Sequence, residues 1–224
     1  MRRWAFENGL SLFFGVLFLV TLAGQSVAGW KDYNEELVAH GDPTIGYGRF
    51  LYSSEFGAAM LENWQSEYLQ FFLFIFATIW LVQKGSNESK KLDEVGLESD
   101  QQQRVGRHAQ PSSPLFARTK GFLFHLYANS LLMAMGLLFL GSWFAQSVTT
   151  WTVYNAEQVD HDETAVSWGS YLTTPDFWEK SLQNWQSEFL AVGTMAAFTI
   201  YLRQRGSPES KPVGAPHEET ASSG

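Results

Sequence analysis

The chain of 224 residues carries a net charge of −8 and contains no cysteine. Without cysteine it forms neither a disulfide nor a thiolate metal site, and its acidic balance argues against nucleic-acid binding, which needs a clustered basic surface. It is 45% hydrophobic and rich in aromatic residues, with 18 Phe and 9 Trp. The apolar residues are gathered into four runs, which predicts membrane spans rather than one soluble core.

The runs alternate between a longer and a shorter type. The first and third, at about 10–28 and 122–148, are long enough to cross a bilayer. The second and fourth, at about 68–82 and 189–202, reach spanning length only when 64–67 and 185–188 are counted with them. The N-terminal run after Arg2-Arg3 also resembles a cleavable signal peptide, but its mid-chain counterpart favours a retained helix.

Two similar segments follow the longer runs, WKDYNEELVAHG from Trp30 and WTVYNAEQVDHD from Trp151. Their spacing predicts that the helix continues beyond the apolar run, in the first copy up to Gly41. A glutamate and a histidine four residues apart share a helix face in each copy: Glu36 with His40, and Glu157 with His161. Two such pairs near a two-fold axis would offer ligands for a divalent metal; an ordinary exposed pair and a pH-sensing histidine are the alternatives.

The pentapeptide NWQSE occurs at 63–67 and again at 184–188, at the start of each shorter run. Asn63 and Glu67 lie four apart and share a face, and so do Asn184 and Glu188. A carboxylate at the edge of a span needs a hydrogen bond, a proton or a wet cavity. The first hypothesis is a tie between helices through amide or hydroxyl partners. The alternative is a shared cation or proton site.

Features at both ends of the runs suit a membrane interface. Tryptophan favours the headgroup level, and four tryptophans are predicted to anchor there: Trp30, Trp64, Trp151 and Trp185. At the other end, GSNESKK and GSPESKP follow the shorter runs. Their glycines, Gly85 and Gly206, predict helix C-caps, and the basic residues around them suit anionic headgroups. Small residues inside the runs predict close helix packing, among them Gly15, Gly136, Gly141 and Gly193.

A tandem duplication explains these pairs. Adding 121 to a residue number aligns 8–90 with 129–211 without a gap, with about two positions in five identical. Twelve of the fifteen Lys and Arg lie at the termini or in the middle segment, while the loops at about 30–60 and 151–185 hold three, Lys31, Arg49 and Lys180. The bias in lysine and arginine puts both termini in the cytoplasm. Both repeats then cross the membrane in the same direction.

The residues GQSVAGWKDYNEELVAHG, ENWQSEYLQ and GSNESKK together resemble an uncharacterised bacterial membrane-protein family known as a domain of unknown function. The resemblance covers 4–91 and 125–212 and implies a multi-pass protein of the bacterial cytoplasmic membrane. It carries over no reaction and no catalytic residue.

The sequence therefore predicts an all-α integral membrane protein with four transmembrane helices, built as two parallel two-helix repeats with both termini inside. The predicted divisions are a first repeat (1–91), a flexible cytoplasmic linker (92–121), a second repeat (122–212) and a disordered tail (213–224). We expect a structural or interaction protein, with the lipid bilayer and either a second copy or other membrane proteins as partners. A cation or proton permease using Glu67 and Glu188 is the alternative, and a metal-binding protein a distant one. No catalytic motif is found and no cofactor is predicted.

Overall fold

The computed structural model describes residues 2–221, and every regular element in that part of the chain is helical. Its α-helices are α1 Arg2–Glu7, α2 Gly9–His40, α3 Tyr47–Phe50, α4 Ser54–Trp80, α5 Phe122–Ala128, α6 Ser130–Asp160, α7 Trp168–Tyr171 and α8 Pro175–Tyr201. Short 3₁₀ turns at Leu92–Glu94, Gly106–His108 and Leu115–Arg118 lie between α4 and α5. The all-helical fold class is confirmed.

The helix bounds in the two halves correspond. Adding 121 to the bounds of α3 (47–50) and α4 (54–80) gives 168–171 and 175–201, which are the bounds of α7 and α8. The same shift of α2 (9–40) gives 130–161, and α6 covers 130–160. Similar sequences therefore take similar local structure in both halves of the chain.

An asparagine interrupts the first long helix of each half. Asn8 separates α1 from α2, and Asn129 separates α5 from α6. Each side-chain amide donates to the backbone carbonyl four residues earlier, at 2.8 Å. A short polar side chain that bonds to its own backbone competes with a continuous helix. The run at 122–148, predicted as one span, is thus two helices with a break at Asn129.

The helices α2 and α6 continue beyond the apolar runs, as the sequence predicts. They contain 32 and 31 residues, and both are long and apolar enough to cross a membrane. At 1.5 Å per residue each is about 45 Å long, which exceeds the roughly 30 Å hydrocarbon core. The helix α2 ends where predicted, at Gly41, whose left-handed φ of +83° lets its N–H reach the carbonyls of Leu37 and Val38.

The helices α4 and α8 have 27 residues each, but as described neither is apolar enough over the length of a membrane span. The physical reason is the NWQSE motif, which lies inside each helix and replaces apolar side chains over more than one turn. Of the four predicted spans, two are therefore long and apolar enough to cross a membrane.

A tryptophan and an asparagine fasten the loop after each long helix. The Trp30 indole and the Asn34 amide both donate to the Ile45 carbonyl, at 2.8 and 3.1 Å, and Asn34 Oδ1 accepts from the Ile45 N–H at 2.7 Å. Trp151, Asn155 and Val166 repeat the arrangement, with distances of 2.8, 3.0 and 2.8 Å. The shared W-x₃-N spacing thus closes a loop, because residues four apart lie on one helix face.

The glycines of the GSxES segments are not helix caps, contrary to the prediction. The helices α4 and α8 end at Trp80 and Tyr201, several residues earlier. Gly85 and Gly206 instead have φ of +85° in turns in which Ser86 N–H bonds to Gln83 O and Ser207 N–H to Gln204 O. Glycine is needed because the left-handed region is costly for other residues.

The described chain divides into two compact units, residues 1–60 with 148–167, and residues 61–147 with 168–224. The first contains both loop fastenings, and the second contains both NWQSE motifs. This division cuts through α4 and α6, so it follows neither predicted repeat. The predicted repeat boundaries and the flexibility of linker and tail stay predictions.

Candidate functional site

The first NWQSE motif turns its middle residues inward. Gln65 is fully buried and Ser66 is 1% exposed. Gln65 Nε2 donates to the Glu62 carbonyl at 3.1 Å, and Gln65 Oε1 accepts the Trp185 indole N–H at 2.7 Å. Both ends of this buried amide are therefore satisfied, which buried polar groups require.

The second NWQSE motif contacts the first through other positions, Trp185 and Glu188. The Trp185 ring lies between helices, with its centroid 5.6 Å from that of Trp143 on α6. Glu188 Oε1 lies 3.4 Å from Ser66 Oγ, at the long end of hydrogen-bond range, and the same hydroxyl lies 2.9 Å from the Asn63 carbonyl. We call the facing segments, 65–74 of α4 and 185–195 of α8, the α4–α8 seam.

The two motif glutamates are neighbours but are not equivalent. Glu67 is exposed and Glu188 is half-buried. The Glu188 carboxylate is near enough for its charge to act on Glu67. Only Glu188 is directed at a hydroxyl of the opposite helix, which makes it the carboxylate of the seam.

The two motif asparagines, unlike Gln65, are not buried. The Asn184 amide donates to the Lys180 carbonyl of its own helix at 2.8 Å, and Asn63 is exposed. Gln65 and Ser66, which lie between Asn63 and Glu67, contact the opposite helix, and their amide and hydroxyl are among the partners that the first hypothesis names. Their signal in the sequence was the motif itself, but helical spacing alone does not say which of its faces meets another helix.

A cavity of about 190 Å³ lies along the seam. Its walls are mostly apolar, and two carboxylates border it. It is lined by Gln70, Phe71, Phe74, Glu88, Ala191, Val192, Met195 and Glu209. The lining comes from α4, from α8 and from the GSxES segment that follows each of them.

Glu88 and Glu209, counterparts at the 121-residue offset, meet at this cavity. Burial raises the pKa of the Glu88 carboxyl, and the charge of Glu209 and a hydrogen bond with it raise it further. Glu88 Oε1 is buried and, within residues 2–221, has no partner that donates to it. A carboxyl is a donor only when it is protonated, which is the form that the raised pKa of Glu88 favours at this pair.

The candidate metal residues are held by their own helices. His40 Nδ1 lies 2.9 Å from the Glu36 carbonyl oxygen, and His161 Nδ1 lies 2.8 Å from that of Glu157. Both histidines are exposed. Within residues 2–221 no three His, Asp or Glu side chains are grouped so as to hold a metal ion.

The predicted interface tryptophans are all partly buried. Trp30 and Trp151 donate to loop carbonyls, and Trp185 donates to Gln65. These three indole N–H groups are therefore engaged within the protein, although an indole body that is partly exposed still suits a membrane interface. Their role as membrane anchors stays a prediction.

Taken together, the fold and the seam define an all-helical protein in which two helices fit a membrane and a polar contact joins two more. The chain belongs to the family described as a domain of unknown function, DUF6766, which matches residues 1–222. No curated protein and no solved structure matches it.

Proposed function

We propose that this chain is an integral membrane protein with a structural or interaction role, in which the α4–α8 seam ties two membrane helices together. The observation that carries the proposal is the use of the motif's polar groups: the Gln65 amide, the Trp185 indole and the Ser66 hydroxyl all bond within or across the helix pair. Polar side chains of this kind hold helices together in membranes.

The arrangement we propose has four spans, α2, α4, α6 and α8, as two parallel repeats with both termini in the cytoplasm. The corresponding helix bounds support the duplication. The lysine and arginine bias supports the orientation, since twelve of fifteen lie at the termini or between α4 and α5. A bacterial cytoplasmic membrane is the proposed location, with the bilayer and a second copy or another membrane protein as partners.

Paired cysteines test the seam directly, because the chain has no cysteine of its own. Ser66→Cys with Glu188→Cys should cross-link in membranes through a short bifunctional thiol reagent, which makes up for the shorter cysteine side chain at 188, since the Ser66 hydroxyl and the Glu188 carboxylate lie 3.4 Å apart. The matched control is the reciprocal pair, Glu67→Cys with Ser187→Cys, which should cross-link far more slowly. Equal rates for the two pairs would contradict the packing on which the proposal rests.

Reporter fusions after residues 45 and 100 test the topology. We expect an extracytoplasmic signal at 45 and a cytoplasmic one at 100. The opposite signal at 100 would remove the spanning role of α4. For the structural role itself, purified protein in liposomes should give no proton or cation flux above empty liposomes.

A second candidate function is a proton or cation permease. One observation favours it: Glu67 and Glu188 form a carboxylate pair on α4 and α8, Glu88 and Glu209 form a second pair in the segments that follow these helices, and the seam cavity reaches the second pair. Under this hypothesis liposomes containing the protein conduct, and Glu67→Gln with Glu188→Gln abolishes the flux while the protein still folds. Wild-type liposomes without flux would exclude it.

A further inference from the structure

Lys211 is almost completely buried, with 1% of its surface exposed. Its ammonium nitrogen lies within hydrogen-bond distance of four backbone carbonyl oxygens, which share its three N–H donors: Gly85 at 2.7 Å, Pro216 at 3.2 Å, His217 at 3.0 Å and Glu219 at 3.0 Å. All four acceptors are neutral. Lys211 therefore joins the turn after α4 to the C-terminal segment, residues 212–221, which we call the latch.

Further contacts hold the latch against the same turn. The Gly85 N–H donates to Thr220 Oγ1 at 2.9 Å, and the Ala221 N–H to the Ser86 carbonyl at 3.2 Å. Gly85 is specifically adapted to this contact, because a Cβ there would collide with the His217 carbonyl oxygen. Its counterpart Gly206 has the same φ of +85° but has open space around it.

The latch covers a cluster of three basic side chains. Lys84 forms an ion pair with Glu218 at 3.3 Å, and Arg203 Nη2 donates to the Ala215 carbonyl at 3.0 Å. Lys211 is the third. We call these residues, Lys84, Arg203 and Lys211, the basic site. The latch thus brings a carboxylate and several carbonyl oxygens to three cations.

The buried position that Lys211 has against the latch is electrostatically costly. Burial lowers the pKa of its ammonium group and the charge of Arg203 lowers it further, while Glu219 acts in the opposite direction. The counterpart lysine is held differently, because Lys90 pairs with the Glu98 carboxylate and donates to the Gly96 carbonyl. A buried cation without a carboxylate partner is expensive, so we expect the second half's contact to open more readily than the first half's.

We propose that the latch is a reversible cover on the basic site and that anionic lipid headgroups compete with it for the three cations. The inference rests on the four-span arrangement, which puts the ends of α4 and α8 at the cytoplasmic membrane face. A headgroup phosphate supplies charged oxygens in place of the neutral carbonyls. Lysine and arginine near an anionic membrane surface gain about 1 kcal/mol each, so three cations shift the ratio of closed to open latch by about a hundredfold.

The test measures the latch position in the full-length protein. Nitroxide labels on Gln83→Cys and Ala221→Cys report the distance between the turn and the latch, and both positions are exposed. In nanodiscs of phosphatidylcholine we expect one short distance. In nanodiscs of phosphatidylglycerol the short-distance population should fall sharply and longer distances should appear. Identical distributions in the two lipids would overturn the proposal.

Inorganic phosphate added to phosphatidylcholine nanodiscs separates a lipid site from a site for free anions. We expect no change in distance; opening by phosphate equal to that by phosphatidylglycerol would overturn the assignment to lipid. The failure of the four-span arrangement would be seen separately, as an extracytoplasmic reporter signal at residue 100.

Matched glycine variants test the contact itself. Gly85→Ala should open the latch in both lipids, whereas Gly206→Ala, with the same backbone strain but no latch against it, should keep the lipid response. If Gly85→Ala does not fold, Thr220→Val removes the Gly85–Thr220 bond and should shift the neutral-lipid population towards open. A latch that stays closed in Thr220→Val and in Lys211→Met would contradict the proposal.

Discussion

The two NWQSE motifs have the same five residues and different surroundings. In the first copy Gln65 and Ser66 are fully or almost fully buried, whereas their counterparts Gln186 and Ser187 are exposed. The second copy uses Trp185 and Glu188 for the contact instead. An identical local sequence thus presents one face of the helix in α4 and another in α8.

The difference teaches that the seam is not a symmetric contact. In an isologous pair the same positions meet from both sides, so that a contact of residue i with residue j is matched by j with i. Here the glutamine and serine of one copy meet the tryptophan and glutamate of the other. The similar sequences form two similar helices, but the packing around them gives each a different role.

Truncating the buried glutamine should give the largest effect on this comparison. Gln65→Ala leaves the Trp185 indole without its acceptor and opens a void, which should lower the free energy of unfolding by about 2–4 kcal/mol. The matched variant Gln186→Ala removes an exposed side chain and should change it by less than about 0.5 kcal/mol. Denaturant unfolding in detergent micelles, followed by tryptophan fluorescence, measures both.

Equal losses for Gln65→Ala and Gln186→Ala would mean that the two motifs pack alike, and the asymmetric seam would be wrong. Gln65→Glu is a useful further control. It keeps the size and an acceptor for Trp185 but introduces a charge at a fully buried position, so it should be destabilising as well.

A glycine pair extends the comparison to the longer helices. A Cβ on Gly136 would lie 3.1 Å from the Phe72 ring, whereas Gly15, its counterpart, has nothing within 4 Å. Gly136→Leu should therefore overpack the contact of α6 with α4 and cost about 1–3 kcal/mol of stability. Gly15→Leu should be neutral or slightly stabilising, because leucine is a better helix former than glycine. Thermal unfolding in detergent compares them, and a neutral Gly136→Leu would contradict this contact.

The sequence predicted the helices well, and the packing poorly. Apolar periodicity and the 121-residue offset located the helices and the C-terminal end of α2, because these depend on local pattern and on glycine at position 41. The face that each NWQSE motif buries depends on residues distant in the chain. Trp143, which contacts Trp185, has Leu22 as its counterpart in the first half. The two motifs are therefore identical in sequence, but the residues around them are not. Likewise, no pattern within the tail indicates that Lys211 meets the Gly85 carbonyl.

The serine pair should give a smaller effect in the same direction. Ser66→Ala removes the hydroxyl that lies between Asn63 O and Glu188, and we expect a loss of about 0.5–1 kcal/mol because the bond to Glu188 is long. Ser187, whose hydroxyl bonds to its own helix, is exposed, so Ser187→Ala should be near neutral. A greater loss for Ser187→Ala than for Ser66→Ala, in the same unfolding assay, would reverse the roles of the two copies.

The smallest expected effect is a pH dependence at the other end of the helix pair, where Glu88 is partly buried and its counterpart Glu209 is exposed. The pKa of Glu88 is raised in the folded protein by burial, and next by Glu209. A carboxyl with a raised folded pKa binds its proton more tightly when folded. The stability from the contact is therefore complete below the ordinary glutamate pKa and is lost as pH rises through the raised value.

Glu88→Gln checks this dependence, because an amide N–H is a donor at every pH and does not titrate. The variant's unfolding free energy, relative to wild type, should rise as pH increases through the raised pKa of Glu88. The control is Glu98→Gln: Lys90 lowers the pKa of Glu98, chiefly by a hydrogen bond, so its stabilisation is present above the ordinary pKa and is lost as pH falls through the lowered one. The two variants should therefore differ from wild type with opposite pH trends. A flat difference for Glu88→Gln would mean that no proton is shared between Glu88 and Glu209, and the two GSxES segments would then be joined without their carboxyls.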